Sequence, residues 1–74
     1  MTIQDVAQLL KQMYETAPER EKAVHVHLFG IRYAAIINDM STHEIAERAG
    51  IQRSYGTEIR KGINLSKYVV ERKA

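Results

Sequence analysis

Apolar residues recur at helical spacing from the start of the chain. Ile3, Val6, Leu9, Leu10 and Met13 predict a first helix over Thr2–Tyr14. Thr2 is placed to cap it, with Asp5 near its positive end. Thr16-Ala17-Pro18-Glu19 then fits a capping box with Thr16 as N-cap, and proline is tolerated in a first turn. The next segment, about Pro18 to Asp39, is apolar on two sides if helical. Val24, Leu28, Ile31 and Ala35 line one side. Val26, Phe29, Tyr33, Ile36 and Ile37 line the other, with His25, Arg32 and Asp39 between them. A helix of that kind sits in the middle of a bundle. Val24–Leu28 also alternates with period two, as a strand does. The length of the segment and its Ala-containing end favour helix. Gly30 costs a helix about 1 kcal/mol relative to Ala, which points to a close approach of another helix.

Ser41 and Glu44 form a second capping box ahead of a third helix, Thr42–Ala49. Ile45, Ala46 and Ala49 share one face of it. Gly50 supplies a residue able to turn left-handed at its end. A fourth helix is expected from about Arg53 to Lys61, stopped by Gly62. It stacks Arg53, Thr57 and Lys61 on one side, with Ser54 and Glu58 beside them, and Tyr55, Gly56, Ile59 and Ile63 opposite. Ser66–Arg72 is expected to add a short helix with Tyr68 and Val69 packed inward. The expected fold is therefore all-α, a small bundle of four to five helices.

The stretch Thr42–Lys61 resembles the helix-turn-helix DNA-binding superfamily. The resemblance rests on Ala46 at the helix crossing, Gly50 four residues later, Ile51 after the turn, and Ile59 on the buried face of the second helix. It implies that the second helix enters the major groove of double-stranded DNA. Gln52, Arg53, Ser54, Thr57, Glu58 and Lys61 then face the duplex. Thr42, His43 and Arg60 are expected phosphate contacts, because a helix N-terminus offers free N–H groups to anions. Two residues depart from the family pattern. Gly56 replaces the usual branched apolar residue, which makes the helix–helix contact weaker or closer. Gln52 stands where a Ser or Thr usually caps, and Ser54 is the alternative cap.

A chain of 74 residues reads as one domain, residues 1–74. Folding at this size buries only about 60% of the unfolded surface, so a homodimer is a natural supplement. With no cysteine there is neither a disulfide framework nor a thiolate metal site, which is compatible with the cytoplasm. MTIQDVAQLL lacks the pattern of a signal peptide, and no stretch is apolar enough to span a membrane. The net charge of +2 says little, but its distribution says more. Residues 1–50 carry five Lys/Arg against seven Asp/Glu. Residues 51–74 carry six Lys/Arg against two Glu, so the cations gather on and after the expected reading helix.

His25, His27 and His43 raise the question of a metal, but on a helix His25 and His27 point about 200° apart. No metal, cofactor or small-molecule substrate is expected. No phosphate loop or nucleophile elbow is present, so no enzymatic activity is expected. The expected function is sequence-specific binding of double-stranded DNA by a small transcriptional regulator or DNA-binding module, acting as a homodimer. The alternative is a helical protein-interaction domain without DNA binding.

Overall fold

The computed structural model describes residues 1–72. Five helices follow one another: α1 Ile3–Thr16, α2 Lys22–Arg32, α3 Ala34–Ile37, α4 Thr42–Arg48 and α5 Tyr55–Leu65, with a 3₁₀ turn at Glu19–Glu21 before α2. There is no strand among the described residues, and Val24–Leu28 is helical. The all-α bundle expected from the sequence is the fold observed.

α1 begins on a full capping box. The Thr2 hydroxyl accepts from the Asp5 N–H at 3.2 Å, and the Thr2 N–H donates to the Asp5 carboxylate at 2.9 Å. Thr16 is not a cap for the next helix. Its hydroxyl donates back to the Gln12 carbonyl at 2.8 Å, so it ends α1. The expected continuous helix over Pro18–Asp39 is also corrected. It opens as a 3₁₀ turn and breaks at Tyr33, whose φ of −109° and ψ of 16° leave the helical region. Hydrogen bonding resumes when Ile36 and Ile37 donate to the Tyr33 carbonyl. The break turns α3 so that Ile37 reaches the core, while the Phe29 and Tyr33 rings pack 5.3 Å apart.

The core is drawn from every helix. Val6, Leu10, Val26, Phe29, Ile37, Ile45 and Ile59 are fully buried. Each contributes about 1.5–3 kcal/mol of apolar burial. α2 touches α1, α3 and α5, and its contact with α5 is the most extensive in the molecule. The side that carries Val24 is less covered than the sequence suggests, with Val24 49% exposed, and on the other side Ile36, now in α3, stays 44% exposed.

Gly30 and Gly62 make the α2–α5 contact possible. A Cβ on Gly30 would lie 2.5 Å from the Ile59 carbonyl oxygen and 2.9 Å from the Gly62 Cα. A Cβ on Gly62 would lie 2.4 Å from the His27 carbonyl oxygen. Gly62 therefore does not end the helix as expected. It sits inside α5, which continues to Leu65 and holds the crossing closed. The expected last helix over Ser66–Arg72 is absent. Tyr68 and Val69 still donate to the Leu65 carbonyl, and the chain then becomes an arm pinned by an ion pair between Arg32 and Glu71. Tyr68 is 85% exposed rather than packed inward.

Replacing a helical Gly by Ala ordinarily stabilises by up to about 1 kcal/mol. Gly30→Ala and Gly62→Ala should do the reverse, since backbone must move to admit the methyl group. We expect a loss of about 1–3 kcal/mol from each, read as a drop of several degrees or more in Tm by thermal circular dichroism. A Tm equal to or above the parent's would contradict the close crossing.

Candidate nucleic-acid interface

The site is built from the unit α4–turn–α5. Ser41 caps α4 by accepting from the Glu44 N–H at 3.2 Å. The Glu44 carboxylate does not complete the box; it pairs with Arg48 at 2.9 Å, one turn on. At the other end Gly50 takes φ +81°, the one positive φ among the described residues. The Ile51 N–H donates to the Ala46 carbonyl and the Gly50 N–H to the Glu47 carbonyl, closing a Schellman motif. This reverses the chain and sends α5 back across α4.

Gly56 decides how closely the two helices cross. A Cβ there would lie 2.7 Å from the His43 backbone and imidazole. The departure from the family pattern thus gives a closer contact. α5 starts at Tyr55, later than Arg53, and Ser54 precedes it without a side-chain capping bond. Backbone bonds from Tyr55, Gly56 and Thr57 back to Gln52, Arg53 and Ser54 wind the entry instead. Arg53 consequently belongs to the turn and not to the helical stripe of Thr57 and Lys61. Tyr55 meets Tyr14 edge-on at 5.4 Å, tying the start of α5 to α1.

The expected contact residues fall into three groups. Gln52, Arg53, Ser54, Thr57 and Lys61 are exposed. Arg53 forms an ion pair with Glu47, and Lys61 stands 3.5 Å from Glu58. Both pairs are solvent-exposed on the cation's side, where such pairs are worth little and exchange readily for another anion. Glu58 and Arg60 are half-buried and occupied. Glu58 meets the His27 imidazole at 2.6 Å across the α2–α5 contact. Arg60 donates to the carbonyls of Asn38 at 3.2 Å and Met40 at 3.3 Å, fastening the α3–α4 turn onto α5. Thr42 is 5% exposed, so its side chain lies under the surface. His43 is half-buried against Gly56.

An open cleft runs between the start of α4 and the outer side of α5. Ser41, His43, Thr57, Lys61 and Asn64 line it. Asn64 was not singled out in the sequence because Gly62 reads there as the helix end. With α5 continuing to Leu65, Thr57, Lys61 and Asn64 fall at i, i+4 and i+7 on one stripe. His25 and His27 pair with different carboxylates, Glu21 at 3.6 Å and Glu58 at 2.6 Å. No group of three His, Asp or Glu among the described residues is placed to hold a metal ion. Among the described residues no helix is long and apolar enough to cross a membrane.

The His27 hydrogen bond holds the Glu58 carboxyl below the usual range, against an opposing effect of partial desolvation, with Lys61 helping. A carboxylate depressed in the folded state stabilises above its ordinary pKa, and that contribution is lost as pH falls through the folded value. The parent should therefore lose thermal stability progressively below about pH 4.5, the ordinary value for Glu58. Glu58→Gln should flatten the Tm-against-pH curve in that window. Parallel curves for the two proteins would contradict the bond.

No curated protein and no solved structure matches the chain. The family described as the HTH-like domain matches residues 2–72, nearly the whole sequence. With the capped α4, the left-handed Gly50 and the crossing α5 in place, the chain belongs to the HTH-like domain family.

Proposed function

We propose that the chain is one helix-turn-helix unit that binds double-stranded DNA in a sequence-specific, non-catalytic manner, as a small transcriptional regulator or DNA-binding module. Membership of a helix-turn-helix-like family points to DNA binding in general. The observation that carries the finer reading is the stripe of Thr57, Lys61 and Asn64 beside the start of α4, all facing one open cleft. On this reading α5 enters the major groove. Arg53, at the turn, donates to a guanine or a phosphate, and Lys61 neutralises a phosphate. Gln52, Ser54 and Thr57 add polar contacts, and His43 approaches the backbone. Arg60 and Glu58 hold α5 in place, and Thr42 serves through its backbone. One short helix covers few base pairs, so two copies related by a two-fold axis read two half-sites.

Glu47 and Glu58 on the same surface favour a second reading, a protein partner in place of DNA, because they offset the two cations. Variants separate the two. Arg53→Ala and Lys61→Ala should each weaken duplex binding by about 5- to 150-fold, the equivalent of 1–3 kcal/mol. Lys61→Ala should also lower the salt slope by about 0.9. Lys11→Ala, on α1, should bind like the parent. If Arg53→Ala and Lys61→Ala fold and bind duplex as tightly as the parent, the reading fails.

A further inference from the structure

The bundle leaves one apolar side of α2 open. Val24, Leu28 and Ile31 follow one another along it, and Ala35 of α3 lies just beyond. Val24 is 49% exposed, Ala35 is exposed, and Leu28 and Ile31 are half-covered, while Val26 and Phe29 on the other side fill the core. The arm after α5 lies beside this open side, with Val69 and Val70 lining a groove with Ile31. The arm is incompletely covered: Tyr68 is 85% and Val70 90% exposed. Its fastening to the bundle is the Arg32–Glu71 ion pair. Val70, Glu71 and Arg72 make no backbone–backbone hydrogen bond among the described residues. An adjoining groove is lined by Ile31, Ala34, Ala35 and Ile63, with Asp39 and Lys67 on its rim. Neither rim residue forms an ion pair among the described residues.

We propose that a second copy of this chain covers this face, each copy laying its Tyr68–Val70 arm on the other's Ile31–Ala34–Ala35 groove. Three observations select a second copy. The face carries both a groove and an apolar arm, so a two-fold pairing satisfies both surfaces at once, as an isologous interface requires. The charges complement each other in the same way. Lys67 heads each arm and meets Asp39 on the rim of the partner's groove, and the symmetry makes this contact twice. The dimensions also fit. The molecule measures 29 × 27 × 20 Å, so side-by-side copies stand about one molecular width apart. That is of the same order as the roughly 34 Å between half-sites on DNA. The pairing gives a surface to the two-fold dimer proposed above.

The test is sedimentation velocity of the full 74-residue chain without DNA. The parent is expected to be dimeric at tens of micromolar. A Tyr68→Ser, Val70→Ser double variant should associate at least about tenfold more weakly while its helical circular dichroism is unchanged. Asp39→Lys alone and Lys67→Asp alone should each sediment as monomers, because like charges then face each other. An equimolar mixture of these two variants should restore the dimer, since both halves of the mixed interface are matched. A monomeric parent, single variants that dimerise like the parent, or a mixture no better than its components would each overturn the proposal. Because DNA is absent, failure here leaves the DNA reading standing, and a dimer that ignores DNA would do the reverse.

Discussion

The molecule depends on the place where α2 and α5 cross backbone to backbone. Gly30 and Gly62 face each other so closely that a methyl group on either would meet a main-chain atom inside 3 Å. Close packing of this kind fixes a helix in position and angle together, because neither partner has a side chain to give way. The Glu58–His27 bond flanks the crossing on one side, and the Arg60 bonds to Asn38 and Met40 flank it on the other. α5 is thus held by its inner face over its full length, and its outer face is left open. Gly56 repeats the device against His43, setting α4 close to α5.

The two cations on the open face are held only by surface ion pairs. Arg53 rests on Glu47 and Lys61 on Glu58, but both cations remain well exposed. Ion pairs of this type hold their partners weakly, and a polyanion presenting several phosphates can take both cations at once. The half-buried cation-to-carbonyl bonds of Arg60 are different in kind. They satisfy main-chain groups at the α3–α4 turn, so that residue serves the fold. Charge count along the sequence therefore overstates the positive surface, since it scores Arg60 and Arg32 with the rest although both are engaged within the bundle.

Local rules made much of the fold legible in the sequence. The Thr2 cap, the Ser41 cap and the left-handed Gly50 are fixed by residues within a few positions of each other, and each is readable there; that Asp5 closes a reciprocal box with Thr2 is added by the structure. Gly30 was readable too, since a glycine in a strongly apolar helix calls for a packing reason. Gly62 reads differently in the sequence and in the fold. Near a polar stretch it looks like a helix stop, and only the approach of α2, thirty residues earlier, makes it a packing residue. Asn64 lies past that apparent stop and so does not stand out in the sequence. The break at Tyr33 and the Arg32–Glu71 pair are also tertiary: the first serves the burial of Ile37, the second joins residues far apart in sequence. Arg53 falls on the helical stripe only if α5 starts at Arg53, two residues before its observed start at Tyr55.

If the fold holds α5 so that its outer face meets a duplex, the chain binds DNA through its phosphates. The most direct measurement is fluorescence anisotropy of the parent chain titrated onto mixed-sequence duplex at several salt concentrations. Binding at low salt should weaken steeply and linearly in log–log form as salt rises, the mark of counterion release from phosphates. No binding at the lowest salt, with the helical spectrum intact, would contradict it and leave the α4–turn–α5 unit as a packing motif.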